Sequence, residues 1–249
     1  MAKVDERRSG RGDKTKNGPA TVACVTVGDR AIPIVTRKSP RARRISLRIA
    51  PAEDKVELVL PRGASLGEGL RFAEEKSGWL LTQLAVRPPR VPFAPGAVVP
   101  YRGVDHLIHH RPEARGGVWR EDGVICVSGA SEFLSRRVKD WLKREALALL
   151  SERAQATAAR LNRRVARVSL RDTTSRWGSC STNGVIHFSW RLVLAPDWVL
   201  DYVVAHEIAH LVHPNHGQRF WRLVATLTPE VNAPRDWLRR QGEHLLRYG

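Results

Sequence analysis

The run His206-Glu207-Ile208-Ala209-His210 constrains this chain more than any other stretch. Two histidines four residues apart project from one face of an α-helix, about one turn apart. Apolar side chains recur around them at helical spacing, at positions 199, 200, 203, 204, 208 and 211, so the pair is predicted to lie on a helix. Histidines at this spacing are typical of zinc hydrolase sites, where the intervening glutamate acts as a general base without being a ligand.

The segment after this pair offers a third metal ligand. A catalytic zinc ordinarily takes three protein ligands and leaves the fourth position to water. His216 lies beyond a helix break predicted at Pro214, so it can approach the metal from another direction, as a tetrahedral site requires. His213 would point along the same face as the pair, and we interpret it as a neighbour of the site, with the reversed assignment left open. Glu230 and Glu243 are the alternative ligands that a later helix could supply.

Several motifs on both sides of the histidines occur together. They are Ser175-Arg176-Trp177-Gly178-Ser179-Cys180-Ser181, Trp190–Pro196, Tyr202–Ala205, Pro214-Asn215-His216 and Phe220-Trp221. In combination they resemble the YgjP-like metallopeptidases, densely from Thr174 to Trp221 and more loosely before it. The resemblance implies a zincin-type fold with Zn²⁺ held by His206, His210 and His216. It also implies that Glu207 is the catalytic acid/base. The spacing of the three histidines is similar, too, to that of WLM-type proteases, which act on DNA–protein crosslinks.

Residues near the motif are candidates for the substrate cleft. Arg176, Trp177 and His213 are candidate cleft or substrate-binding residues. For Trp177 a packing role in the core is favoured, whereas for Arg176 the two interpretations are even. The turn Asn183-Gly184 between strand-like runs predicts a β-hairpin. Val185–Trp190 is predicted to be the exposed edge strand with which a peptide substrate pairs, as in zincins generally.

The basic charge of the chain is concentrated at its start. The formal net charge is +17, and residues 1–50 carry 13 Lys/Arg against four acidic residues. Residues 1–20 have little to bury and are predicted to form a basic disordered tail. Such a tail favours polyanions, so a nucleotide or nucleic acid is a candidate partner beside a peptide or protein substrate.

No segment of the sequence predicts secretion or membrane insertion. No apolar run approaches the ~20 residues of a transmembrane helix, and the start has no apolar stretch of the signal-peptide kind. The three cysteines are widely spaced and odd in number, which gives no disulfide framework. We therefore expect a reducing, cytoplasmic location.

The hydrophobic periodicities predict an α+β chain. Residues 21–100 are expected to form a small antiparallel β-rich region, with a helix that a Ser65–Glu68 capping box opens and that runs to about Val86. A proline-rich connector, Arg87–Pro100, closes this region. Residues 101–249 are expected to form a zincin-like α+β catalytic domain with the metal site on a helix, backed by a long amphipathic helix from Ser131.

Four functions fit these features unequally. The first is a zinc-dependent metallopeptidase. A metal-dependent nucleoside triphosphate pyrophosphohydrolase would suit the basic charge, but the sequence has no Gly-rich phosphate loop or Asp-rich magnesium cluster. A DNA-associated metalloprotease would use residues 1–20 as a tether. A non-catalytic zinc module is disfavoured by Glu207, because a structural site needs no base.

Overall fold

The computed structural model describes residues 21–27, 30–50 and 55–249. The tail predicted over residues 1–20 lies outside this part of the chain. Contacts divide the chain into two compact units, Met1–Pro88 and Pro89–Gly249, and the division falls inside the predicted proline-rich connector. Strands and helices are mixed in both units, so the fold class is α+β, as predicted. None of the described helices combines the length and apolarity needed to cross a membrane.

The first unit contains a four-stranded sheet in the order β1-β2-β4-β3. Its strands are β1 (Thr21–Val27), β2 (Arg30–Lys38), β3 (Ser46–Ile49) and β4 (Val56–Leu60). The β1–β2 and β3–β4 pairs are antiparallel, but β2 and β4 run parallel. The prediction of an antiparallel region is therefore wrong for the central pair. The reason is that β3 lies at the sheet edge and runs opposite to β2. Strand β4 lies between them and is antiparallel to β3, so it runs in the same direction as β2.

Two short helices cover this sheet where one was predicted. They are α1 (Leu66–Glu75) and α2 (Ser77–Ala85), separated at Lys76. The predicted capping box is present: the Ser65 hydroxyl accepts from the Glu68 N–H, and the Glu68 carboxylate accepts from the Ser65 N–H at 2.7 Å. A Cβ on Gly69 would lie 2.5 Å from a Leu60 methyl group, so glycine permits close packing of α1 on the sheet.

The second unit begins with another four-stranded sheet, in the order β5-β6-β8-β7. Its strands are β5 (Val98–Tyr101), β6 (Val104–Arg111), β7 (Val118–Glu121) and β8 (Val124–Ser128). Arg102 and Gly103 join β5 to β6 with positive φ angles of 53° and 79°, which matches the twist that tight hairpins need. Ile108, Ile125 and Val127 of this sheet belong to the core of the unit.

A three-stranded sheet in the order β10-β11-β9 lies beside the candidate site. Its strands are β9 (Arg167–Arg171), β10 (Gly178–Cys180) and β11 (Val185–Ser189). The predicted hairpin joins β10 to β11, and Gly184 adopts a φ of 76° in its turn. However, β11 pairs on both sides, so the prediction that Val185–Trp190 is the edge strand is wrong. Among the described strands, β10 and β9 form the two edges.

Four helices complete the second unit. They are α3 (Leu134–Ala159), α4 (Asp197–Ala209), α5 (Gln218–Leu227) and α6 (Asn232–Leu245). The long helix α3 packs directly against α4. It buries the predicted stripe that includes Leu134, Val138 and Leu142, which confirms the amphipathic pattern. Helix α4 is buried on most of its surface, so the residues at its C-terminal end are held by the core around them.

Candidate active site

Ion pairs at the first turn of α4 anchor the helix that carries the histidine pair. The Arg102 guanidinium donates to the Asp197 carboxylate at 2.9 Å, and Arg153 pairs with both Asp197 and Asp201. The bond from Arg102 is the main cause that lowers the pKa of Asp197. A carboxylate in the first turn also interacts favourably with the helix dipole. These contacts hold the helix at the end opposite His206 and His210.

Three imidazoles converge at the C-terminal end of α4. His206 lies in its last turn, His210 caps it, and His216 follows in the loop before α5. Their ring centroids are 4.7–5.2 Å apart, and one ring nitrogen from each lies within 4.8 Å of the others. The Nε2 atoms of His206 and His216 are 3.1 Å apart. The structure thus brings together the three residues that the sequence singled out.

Hydrogen bonding and burial prepare these imidazoles for a cation. Nδ1 of His210 lies 3.2 Å from the His213 carbonyl oxygen; as a donor it leaves Nε2 with a free lone pair, the usual arrangement behind a metal-binding histidine. Burial lowers the pKa of His206 to about 4, and the neighbouring His210 and His216 add to this effect. Burial also lowers the pKa of His210. Both rings are therefore neutral at physiological pH, which is the form that binds a metal.

An aromatic pair on α5 supports the imidazoles. The Phe220 ring is fully buried, and its centroid lies 4.6–5.0 Å from those of all three histidines. Trp221 stacks on His216 with 30° between the ring planes. The Arg235 guanidinium also lies over the Trp221 ring, 5.0 Å from its centroid. No role at the site is predicted for Phe220 from the sequence. Its position four residues after His216, on the first turn of a helix, was the available signal.

The carboxyl group of Glu207 is buried against strand β10. Glu207 is 5% exposed, and β10 packs on α4 beside it. A Cβ built on Gly178 would lie 2.5 Å from Oε1 and 2.6 Å from Cγ of Glu207. No side chain fits between these backbones, so the glycine makes room for the glutamate. This role of Gly178 is not predicted from the sequence. Gly178 and Glu207 are 29 positions apart, and local sequence patterns do not indicate contacts over that separation.

Burial also sets the protonation of the groups around Glu207. It raises the pKa of the Glu207 carboxyl to about 7, against the opposing charge of Arg176. A carboxyl group with a pKa near neutrality both accepts and returns a proton readily. Burial, with the nearby Glu207 charge, raises the pKa of the Cys180 thiol to about 11. Cys180 consequently stays a neutral thiol, which suits a packing role rather than a nucleophilic one.

The three candidate cleft residues occupy different places. Trp177 is half-buried and packs against the core, where a Cβ on Gly242 would come within 3.0 Å of its ring. Arg176 is exposed and lines a cavity of about 330 Å³ together with Gly178. His213 supplies its carbonyl oxygen to His210, as described above. Of the three, Arg176 is the one that faces open space next to Glu207.

The donor set fits a zinc ion. Imidazole nitrogens coordinate zinc at about 2.0–2.1 Å, which places two ligands of a tetrahedron about 3.3 Å apart. The 3.1 Å separation of the His206 and His216 nitrogens is close to that value, and a ring nitrogen of His210 lies within 4.8 Å of both. Within the described residues, the three histidines are the group of His, Cys, Asp or Glu side chains that can hold a metal.

A protein-family model agrees with this chemistry. A family model described as YgjP-like, metallopeptidase domain, matches residues 43–241. No protein of curated function matches the chain. A solved structure, the crystal structure of the metallopeptidase zymogen of Pyrococcus abyssi abylysin, is similar to 38% of this chain and 93% of its own, with 20% sequence identity and a TM-score of 0.33.

Proposed function

Because the chain belongs to the YgjP-like metallopeptidase family, we propose that it is a zinc-dependent peptidase whose site consists of His206, His210, His216 and Glu207. Membership of the family makes it a hydrolase that acts on peptides or proteins and uses a metal ion. The observation that carries the finer proposal is the convergence of three imidazoles beside one buried carboxyl group. A structural zinc site would use four protein ligands and would need no such base.

His206, His210 and His216 are the proposed zinc ligands. When bound, the ion would supply Lewis acidity, which lowers the pKa of a bound water toward neutrality and polarises the scissile carbonyl. Nδ1–H of His210 is held by the His213 carbonyl, which orients the ring. Phe220 packs against all three rings and excludes water from their inner side. The chain therefore supplies a partly desolvated cluster of imidazole donors.

Glu207 is the proposed general base. Its carboxyl takes the proton of the attacking water and passes it to the leaving amine nitrogen. Gly178 determines where the carboxyl lies, because the glutamate fills the space that a Cβ on strand β10 would take. Arg176 adds a positive charge close enough to oppose the effect of burial on Glu207, which keeps part of the population ionised at neutral pH.

Strand β10 is the proposed binding edge for the polypeptide. Ser189 N donates to Trp177 O at 2.8 Å, and Ser181 N donates to Val185 O at 2.9 Å. Hydrogen-bonded positions alternate along an antiparallel pair, so the backbone groups of Gly178 and Cys180 point away from β11. No described strand pairs with them. A substrate segment that adds to this edge would gain main-chain hydrogen bonds next to Glu207.

Substitution of Glu207 tests the proposal. The purified chain, loaded with zinc, is assayed on a library of fluorescence-quenched peptides, before and after chelation. We expect Glu207→Gln to lower turnover by about 10²–10⁴-fold, the usual contribution of a general base, while the bound zinc remains at the wild-type level. Glu230→Gln is the matched control, because it removes the same charge from an exposed position and should change neither quantity. Wild-type turnover by Glu207→Gln would refute the assignment.

A further inference from the structure

The outer face of the three-stranded sheet is polar and basic. In the sheet register, Ser179 on β10 lies opposite His187 on β11, and His187 lies opposite Ser169 on β9. Arg167 and Arg171 flank Ser169 on the same side of β9, because side chains alternate along a strand. The opposite face carries the fully buried Ile186 and Phe188, which belong to the core. We call the five residues Arg167, Ser169, Arg171, Ser179 and His187 the outer face.

Two adjoining cavities lie over this outer face. The first, about 330 Å³, is lined by Arg171, Ser179 and His187 and extends to Arg176 and Gly178. The second, about 300 Å³, is lined by Arg167, Ser169, Arg171 and His187. Arg171 and His187 thus border both cavities. Gly178, which abuts the carboxyl of Glu207, forms a wall of the first, so this cavity begins where the proposed catalytic site ends.

The arginines that border the two cavities, Arg167, Arg171 and Arg176, form no ion pair with a carboxylate of the described residues, although Arg176 is close enough to lower the pKa of Glu207 against the effect of burial. By contrast, Arg102 and Arg153 on the same unit are paired with aspartates. Asp172 follows Arg171 directly in the chain, but its carboxylate pairs with Arg191 and Lys139 instead.

The His187 imidazole contacts Arg171 in place of a carboxylate. Nδ1 of His187 lies 2.5 Å from the Ser169 hydroxyl, and Arg171 donates to its Nε2 at 3.2 Å. A ring that accepts from a guanidinium at Nε2 is neutral and donates at Nδ1. Burial, then the charges of Arg171 and Arg167, lowers the pKa of His187, in agreement with this neutral form. The ring therefore orients Arg171 without neutralising it.

We propose that the first cavity, over the outer face, is a substrate subsite that binds an acidic side chain of the polypeptide through Arg171 and Arg176. The inference rests on the proposed function, since it assumes a substrate segment paired with β10. Neighbouring strands lie about 4.8 Å apart, and side chains alternate between the two faces of a sheet. Every second side chain of such a segment therefore lies on the same side as the outer face, and the one paired with Ser179 lies next to it. An extended Glu side chain reaches over Ser179 toward the first cavity, where guanidinium groups bind a carboxylate through paired hydrogen bonds.

Binding to a chain that cannot turn over separates this subsite from catalysis. The Glu207→Gln chain, loaded with zinc, is titrated with fluorescein-labelled peptides that differ only in Glu or Gln at one position, scanned along the peptide. At one or more positions we expect the Glu peptide to bind about tenfold more tightly, the scale of one charge-assisted hydrogen-bonded pair. Arg171→Gln and Arg176→Gln should each reduce that ratio toward one. The preference should also weaken as salt is raised from 0.05 to 0.5 M, because salt screens partly exposed charges.

Arg144→Gln is the matched control. Arg144 is exposed on α3 and is not part of the outer face, so this variant loses the same charge and should keep the wild-type ratio. Equal binding of Glu and Gln peptides at every position would overturn the subsite, and so would an equal loss of preference in Arg144→Gln. Displacement of both peptides by single-stranded DNA, without any Glu preference, would also overturn it and indicate a phosphate site. Cleavage by the wild-type chain is measured separately, so a failure of the peptidase proposal is distinguishable from a failure of the subsite.

Discussion

Replacing Gly178 by alanine is expected to displace the Glu207 carboxyl group without touching the three imidazoles. The new Cβ would lie 2.5, 2.6 and 2.8 Å from Oε1, Cγ and Cδ of Glu207. Ordinary contacts begin near 3.4 Å, so the carboxyl must retreat by about 0.9 Å or strand β10 must move away from α4. Neither backbone is free to relax cheaply, because Glu207 is 5% exposed and lies in a packed core.

The size of the effect follows from this displacement. A misplacement of about 1 Å at a reacting group costs roughly 10²-fold in rate, or about 2.7 kcal/mol in the activation free energy. Overpacking also lowers the free energy of unfolding by about 1–3 kcal/mol, which corresponds to several degrees in Tm for a chain of this size. The variant should therefore fold at room temperature, with its main defect in kcat.

The assay compares kcat, KM, zinc content and Tm for the Gly178→Ala chain and the wild type, using a quenched peptide that the wild type cleaves. A fall in kcat at unchanged zinc content and nearly unchanged KM is the expected pattern for a misplaced general base. A rise in KM instead would mean that β10 moved and that the peptide-binding edge was disturbed. Gly78→Ala is the control, because a Cβ there meets nothing within 4 Å. If Gly178→Ala kept wild-type kcat while Tm fell, the link between Gly178 and Glu207 would be refuted.

Four further substitutions probe the imidazole cluster and the helix cap. His216→Ala should lower zinc affinity at least ~10-fold, measured by competition with a chromophoric chelator. His213→Ala should keep the wild-type affinity, because His213 contributes a backbone carbonyl. Equal losses of affinity in the two variants would contradict the ligand assignment. Phe220→Ala should lower the free energy of unfolding by about 3–5 kcal/mol and Tm by roughly 10 °C, measured by calorimetry, since the buried ring supports all three imidazoles. Ser65→Ala should destabilise α1 by about 1 kcal/mol, seen as faster amide exchange in its first turn; unchanged exchange would show that the cap contributes nothing.

Local patterns in the sequence were sufficient for much of the secondary structure. The apolar repeat before His206 predicted α4, Ser65 and Glu68 predicted the start of α1, and Asn183-Gly184 predicted the hairpin between β10 and β11. Each of these depends on residues within a few positions of one another, so propensity and capping decide them. The family resemblance also rested on such short motifs, and the family is confirmed.

Long-range pairings were beyond that reach. The strand expected at the edge, Val185–Trp190, became the centre of its sheet because β9 pairs with it from the far side in parallel. The first sheet acquired a parallel pair for the same kind of reason. Strand order depends on which distant segments bury their faces together, and the alternation of residues along one strand does not encode its neighbours.

The sequence by itself determined the side chains of the proposed site: two histidines one turn apart, a glutamate beside them, and a third histidine past a proline turn. Only the tertiary structure decided how those side chains are arranged. It placed Gly178 against Glu207, Phe220 beneath the imidazoles, and β10 at the open edge with Arg171 and Arg176 nearby. The physical reason is that a residue's type fixes what it can bind or donate, whereas its distance to a residue far along the chain is fixed by the packing of the whole core.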